Sequence, residues 1–546
     1  MAQYIPEYHI KRYRSLKNAR AALEEYVQEC AYYCMPRKAF ITRFHNIGDR
    51  LPTNLYDSTA INSVDYAAAG IQGYLTNPSM RWFGLMLQNR KLMAVPGARD
   101  YLRDCEDIIY DSLNHSNFYQ ENNECYRDLL VIATHVLYEE EDLEDDVRFL
   151  SVPFEKVVMA PDANGRVRTV YIEFEYNADQ AVQKFGKEGL SKELLDAHAK
   201  LDFDKIFKFL FCVYPRAVYN PAKKDKLNMP FAAEWIDVKE SKQVREGGYK
   251  QFPFAVSRWS KTSNDVHGSG PAMNELSNIQ TLNAMCRTNL IAGEQMADPA
   301  KIIPDEIFMR PYDFDAGGIN IKSSGFPTER IETIPTNPNI PFALQYEDAR
   351  RKMIQQAFFN DLFIILNQQT NMTAEEVRAR VAERMLLLGP AIGMIIQENL
   401  RPVVERTFAI CQSLGKMPDP PRGLEGQTYT VVATSPLARA QREVELNGLR
   451  MSMSIINELA QVQIQAGMQP EVLDKFKFDE AADFAAEITD LNPKLIRDDA
   501  EVQDIRANRQ AAAALSQNME MLKQSTEAIK TGSEADRNLV AAGAGK

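Results

Sequence analysis

The chain has 546 residues and 62.0 kDa, with 63 Lys and Arg against 75 Asp and Glu, a formal charge of −12. Its 45% hydrophobic and 25% charged content is that of an ordinary globular protein, which excludes a collagen-like chain, a disulfide scaffold and a wholly disordered chain; the length suggests about three to four structural units at roughly 150 residues each. The acidic balance argues against tight, non-specific nucleic-acid binding, which is driven by neutralising phosphates, but not against a surface past which DNA slides.

From Ile10 to Tyr33 there is no Pro or Gly, and Leu16, Ala19, Leu23, Tyr26 and Cys30 recur at steps of three and four, which predicts one helix with a single apolar face. Asp57 or Ser58 is placed to cap a second helix, Ala60 to Leu75, which Asn77-Pro78 ends. Further helices are predicted from Ala98 to Asn114 and from Gln120 to Tyr138. Glu139 to Asp146 is carboxylate at every position but Leu143; lacking the Gly-centred spacing of a calcium loop, it reads as a solvated turn rather than a cation site.

From Phe149 to Val256 the period changes to alternation. Val170, Ile172, Phe174 and Tyr176 share one strand face, and Tyr171, Glu173 and Glu175 the other. Asn164-Gly165 signals a hairpin into the strand that opens at Val167. Ile206 to Tyr219, Met229 to Val238 and Gln243 to Val256 continue an antiparallel unit, interrupted by a short helix from Ala178 to Phe185 and by a turn expected at Gly247-Gly248.

Pro271 suits the first turn of a helix, and Ala272 to Met296 follows without another Pro. Pro299 to Pro341 is Pro-rich and holds Gly317-Gly318, so it cannot be a long helix; Ile302-Ile303, Ile319 to Ile321 and Ile331 to Ile334 predict short strands. Phe342 to Leu366 is a second long helix, each of the two being roughly 37 Å long. Asn367 to Asn371 is a polar, uncharged loop. Thr373 and Glu376 then form a capping box, opening a helix that runs to about Leu414, with bends expected at Gly389-Pro390 and near Pro402. Thr428 to Ala433 is a single strand. Beyond Pro436 the pattern is helical; Ala500 to Lys530 carries only a thin apolar seam that needs neighbours, and Thr531 to Lys546 is expected to be flexible.

Chemistry is sparse. Seven cysteines, Cys30, Cys34, Cys105, Cys125, Cys212, Cys286 and Cys411, form no CxxC pair, as suits a reducing compartment. Met1 to Pro6 leads into charged helix rather than a signal core, and the most apolar stretch, Met385 to Ile396, is far short of the ~20 residues that span a bilayer. The six His are not clustered at ligand spacing. No nucleophile elbow, HExxH or strand-following GxGxxG occurs, and Gly543-Ala544-Gly545-Lys546 lacks the rest of a phosphate loop. No enzyme activity, metal or cofactor is expected. Arg350, Arg351 and Lys352 read either as a solvated helix face or as a phosphate-facing or inter-subunit contact.

Three runs make the chain recognisable: Leu55-Tyr56-Asp57-Ser58-Thr59-Ala60 with Ala67 to Pro78 and Trp82-Phe83; Gly268-Ser269-Gly270-Pro271-Ala272 leading to Leu276, Ile279, Leu282 and Asn283; and Met372-Thr373-Ala374-Glu375-Glu376-Val377 with Arg380, Glu383, Leu388-Gly389-Pro390, Glu398, Leu400 and Pro402. In this order, over roughly residues 10 to 435, they resemble portal (head-to-tail connector) proteins of short-tailed bacteriophages. The last 110 residues or so match only in character.

The resemblance implies a mainly α portal fold with an α+β wing, long stem helices, a small β-containing clip and a C-terminal helical crown and barrel. It implies a ring, usually of twelve copies, at one capsid vertex, through which double-stranded DNA is packaged by a terminase and later ejected. On this chain the wing would be residues 1–270, the first stem helix 271–297, the clip 298–341, the second stem helix 342–366, the tunnel loop 367–372, a bent wing helix and strand 373–435, the crown 436–499, and a barrel helix with flexible tail 500–546. The DNA-facing loop would be Asn367, Gln368, Gln369, Thr370, Asn371 and Met372, and Asp361 would face the channel or be paired. Implied partners are a tail adaptor at the clip, capsid and scaffolding proteins, and internal core proteins at the crown, with no membrane; the implied location is the virion, after assembly in the host cytoplasm. Two other readings stay open from the residues alone, another helical scaffold or adaptor ring of the virion and a DNA-processing enzyme.

Overall fold

The computed structural model describes residues 6–43, 54–89, 97–220, 225–304, 313–322, 332–334, 340–365, 388–434, 436–489 and 501–515, apart from single positions within those spans, together with 92, 95, 223 and 519. The chain is mainly helical with antiparallel sheets and divides into two compact units. The larger comprises Met1–Gly84, Asp107–Met417 and Ala433–Met451; the smaller comprises Leu85–Glu106, Pro418–Val432 and Ser452–Lys546.

The expected first helix is two, α1 (Pro6–Ala19) and α2 (Ala21–Cys34). The break falls at Arg20, whose backbone leaves helical geometry at φ −98° and ψ 5°; its guanidinium donates to the Phe154 carbonyl at 3.0 Å and lies 4.6 Å from the Phe154 ring centre. Helix α3 (Thr59–Leu75) begins after a local turn in which Asp57 accepts from the Thr59 amide at 2.8 Å, while Ser58 at the N-cap makes no side-chain capping bond. Strand β1 (Phe83–Leu87) and helices α4 (Ala98–His115) and α5 (Phe118–Val131) follow.

Here the helix expected to reach Tyr138 stops early. Ala133 takes a left-handed φ of 63°, and β2 (Thr134–Asp142) pairs with β3 (Asp146–Val152) and β9 (Phe254–Arg258). The acidic run is therefore mostly strand rather than a solvated turn, and Glu139 is buried within it.

A second sheet runs β4 (Val157–Pro161), β5 (Val167–Asn177), β6 (Ile206–Pro215), β7 (Phe231–Asp237) and β8 (Lys242–Tyr249), every neighbour antiparallel. Helices α6 (Ala178–Phe185) and α7 (Lys192–Ala199) lie between β5 and β6. The alternation is realised: Val170 and Ile172 enter one core with Phe211 and Phe254, while Tyr171 packs on the other face with Ile10 and Tyr13 of α1. Gly247 and Gly248 do not turn; they sit in β8 opposite Ala233 and Ala232. At Gly248 a Cβ would collide with the Lys226 carbonyl and come within 2.9 Å of that of Phe231, so close backbone approach explains the glycine.

After β9 come α8 (Pro271–Ala297), then β10 (Lys301–Pro304), β11 (Ile319–Lys322) and β12 (Glu332–Thr333), a sheet in the order β11-β10-β12. The second long helix is divided into α9 (Ile340–Ala357) and α10 (Asn360–Ile365), because Phe358 is buried and Phe359 adopts φ 59°. Residues 388–395 form α11 and lead through a π turn (Ile396–Leu400) into α12 (Arg401–Ser413), so the irregularity lies between the two expected bends. Gly415, at φ 71°, follows the helix end. Then come β13 (Tyr429–Ala433), α13 (Pro436–Gln465) and α14 (Phe478–Thr489). In the smaller unit the Leu85 amide donates to Glu106, the Tyr101 and Tyr429 hydroxyls meet at 3.3 Å, and Arg506 forks onto Asp479. The Thr373–Glu376 capping box and Thr531 to Lys546 lie outside the described residues.

Candidate functional site

The long helix α8 begins at a knot of close contacts. Pro271 opens it, and Gly268 before it donates its amide to Thr134 Oγ1 at 2.8 Å. A Cβ on Gly268 would collide with the Ala133 carbonyl, the same carbonyl that accepts from the Trp259 amide at 3.1 Å. Arg258 is joined to Glu398 of the π turn through Nε at 3.1 Å and through Nη2. Its next neighbour, Asn399, donates to Asn122 of α5 at 2.7 Å. The sheet, the root of α8 and the α11–α12 helix are thus fixed together by buried polar contacts, which hold a single geometry only if all are made.

Further along, α8 and α9 are clamped by Arg351. Its Nε donates to Asp57 at 2.9 Å, its two Nη groups to Asp348 at 2.8 Å and Glu347 at 2.9 Å, and it approaches Cys286 Sγ at 3.4 Å. Asn289 of α8 donates to the other oxygen of Glu347. Burial pushes the Asp57 carboxyl up, but hydrogen bonds from Thr59 and Arg351 outweigh it and hold its pKa below the usual value. Burial likewise opposes the Arg351 charge, and its bonds to Asp57 and Asp348 overcome this and raise its pKa. Arg350 donates to Asn278 at 2.7 Å and lies over the Tyr346 ring at 5.2 Å. Asn283 receives the Tyr56 amide at 2.7 Å and donates to the Asn54 carbonyl at 3.1 Å.

Of the sequence-derived candidates, Arg350 and Arg351 are turned into contacts within the chain, and Lys352 is exposed. Asp361 is half-buried on α10. Asn367, Gln368, Gln369, Thr370, Asn371 and Met372 lie outside the described residues. Between the two long helices, β10 is flanked by β11 in parallel and β12 antiparallel, and Asn320 is buried with its side chain exchanging hydrogen bonds with the Asp313 backbone. Among the described residues there is no group of three or more His, Cys, Asp or Glu placed to hold a metal ion, and no helix long and apolar enough to cross a membrane.

Two buried ionisable groups were not legible from spacing. Glu139 accepts from Thr407 Oγ1 at 2.9 Å, and Arg406 Nε donates to the Glu139 carbonyl at 3.2 Å; burial pushes the Glu139 carboxyl up to about 8, against the pull of Arg406 and Thr407. Burial lowers the His135 pKa, but Cys125 and the Asp128 carboxylate at 3.0 Å more than reverse this, to about 9. Both groups join elements of the α/β region.

Residues 7–496 match the family described as bacteriophage head to tail connecting protein. The chain is 28% identical over 531 residues to a probable portal protein of Bordetella phage BPP-1, covering 96% of this chain and 95% of that one. It is 26% identical over 545 residues to the portal protein of Salmonella phage epsilon15, covering 98% and 96%. A solved chain from the virion of a native gene transfer agent particle aligns with 76% of this chain and 91% of its own at 10% identity and a TM-score of 0.35, too weak a likeness to assign a fold.

Proposed function

The chain belongs to the bacteriophage head-to-tail connecting proteins, and on that premise we propose how its parts divide the work of a portal. It is a phage portal at the capsid vertex, a component of the oligomeric ring that joins capsid and tail. We infer twelve copies around an axial channel, through which a separate terminase drives double-stranded DNA inward and from which the DNA later leaves. The role is structural, with no chemical step assigned to the chain.

The observation that carries this division is the helix–sheet–helix arrangement. Two long helices, α8 and α9, bracket the three-stranded β10–β12 sheet and are locked to one another through Arg351, Glu347 and Asn289. A clamped pair of this kind suits a stem, which must keep its spacing under load. The small sheet is then the clip, contacting the tail adaptor and, earlier, the terminase. Residues 1–270 and 373–435 form the wing, 436–499 the crown that meets internal core proteins, and 500–546 the barrel. Asn367 to Met372 is the tunnel loop. A net charge of −12 per copy, multiplied around the ring, keeps phosphates from adhering to the channel.

Deletion of Asp305 to Thr333 tests the division. The deleted protein should keep a folded wing, seen as an unchanged protease-resistant core, and should lose binding of the tail adaptor. Normal adaptor binding by the deletion would contradict the clip assignment.

A further inference from the structure

On one face of the five-stranded sheet an ammonium sits among aromatic rings. Phe174 and Tyr176 are two residues apart on β5 and so share a face; their rings are 5.7 Å apart and parallel to within 7°. Trp235 of β7 lies 5.2 Å from the first ring and 6.4 Å from the second. Lys184 of α6 reaches over all three. Its Nζ is 4.4 Å from the Trp235 ring centre, 5.1 Å from that of Tyr176 and 5.3 Å from that of Phe174. Each distance is inside the ~6 Å range in which a ring face attracts a cation.

Lys184 does not anchor the helix that carries it. Ala178 and Ala181 of α6 are buried in one cluster with Phe209, and Asn177 and Gln180 form a capping box at the helix start. Lys184 lies at the surface and the three rings are half-buried, so moving its side chain aside leaves α6 in place and uncovers three ring faces. The ammonium is also poorly served there. It makes one hydrogen bond among the described residues, to the Tyr176 hydroxyl at 2.9 Å, although it carries three donors. Burial lowers its pKa, the Glu140 carboxylate opposes this and Arg245 adds to it, which leaves the pKa below the ordinary value. A cation that is weakly hydrated and needs no hydrogen bonds loses less on entering the same space.

We propose that Phe174, Tyr176 and Trp235 form a binding site for a weakly hydrated organic cation, a quaternary or methylated ammonium, and that Lys184 occupies it until such a ligand displaces its side chain. The Lys184 ammonium shows the charge that the rings accept, and the Glu140 carboxylate is close enough to act on it. Every residue of the site belongs to the larger unit.

Trp235 reports on the site directly. The chain has three Trp, and Trp82 and Trp259 are only 1% and 8% exposed, so a soluble cation that changes Trp emission acts at Trp235. Choline is titrated into the full chain and into Lys184→Ala at constant ionic strength, with dimethylbutanol, its uncharged carbon analogue, as the control. Both proteins should saturate with choline. The variant should do so at about one-tenth of the concentration, because a tethered ammonium that fills the site about nine-tenths of the time weakens an outside cation about tenfold. Equal midpoints in the two proteins, or no saturable response in either, would overturn the proposal. So would a response to dimethylbutanol equal to that to choline, since the rings would then be an ordinary apolar surface covered by the Lys184 stem. Should Lys184→Ala fail to fold, the unsubstituted protein still decides by whether it saturates with choline and not with the alcohol.

Discussion

Arg351 donates to Asp57 at 2.9 Å across 294 positions of the chain, and the same Asp57 accepts from the Thr59 amide at the start of α3. One carboxylate therefore joins the start of α3 to α9. Asp57 and Glu347 are only 10% and 4% exposed at the side chain, whereas Arg351 retains 30%. Removing the cation strands two buried carboxylates, which is the expensive half of breaking such a pair.

Arg351→Met is accordingly expected to destabilise the protein by about 3 kcal/mol, read as a lowered urea midpoint. Arg351→Lys should recover less than half of this, because a point charge cannot serve Asp57, Asp348 and Glu347 together. The Asp57 pKa is depressed on folding, so its contribution is present above the ordinary value of 3.8 and is lost as pH falls through the depressed one. An Asp57→Asn variant should show a flatter acid limb.

Glu139 behaves in the opposite sense. Its carboxyl is raised from 4.5 to about 8 by burial, so its contribution is full below 4.5 and is lost as pH rises through about 8. Glu139→Gln keeps an acceptor for Thr407 and removes the titration. It should gain about 2 kcal/mol over the unsubstituted protein at pH 9 and little at pH 5, measured by denaturant unfolding at both.

Gly268→Ala should cost about 2 kcal/mol or more, because its methyl would meet the Ala133 carbonyl at the root of α8. Gly293→Ala, on the same helix with nothing within 4 Å of the added carbon, should be neutral or slightly stabilising. Thermal unfolding of the two variants side by side reads the difference.

The proposed tunnel loop gives a functional test. Asn367 to Met372 holds no Lys or Arg, so its contacts with a passing duplex should be weak and independent of sequence. Replacing Gln368 and Gln369 by Lys should slow packaging at low salt, with the effect fading as salt rises. An unchanged packaging rate at low salt would mean that the loop does not face the duplex.

What was legible in the sequence follows physical locality. Pro271, the prolines between 299 and 341, and the alternation around Val170 act within a few residues, and the corresponding elements form where they were read. Thr134 to Tyr138 was misread as helix because a short apolar run has no decisive period, and only pairing with β3 and β9 makes it a strand. The helix breaks at Arg20 and Phe359 fall at residues that touch distant ones, Phe154 and Trp259, that no local window contains. Arg350 and Arg351 stood out as a charge cluster, yet their partners, Asn278 and Asp57, are 72 and 294 positions away.

The central claim is that this chain closes into a ring around a DNA path. End-on electron microscopy of the purified full-length protein tests it most directly. The account predicts closed rings, twelve copies in each, with an axial opening that admits a duplex. Particles that stay monomeric, grow into open filaments or close into discs without an axial opening would contradict it.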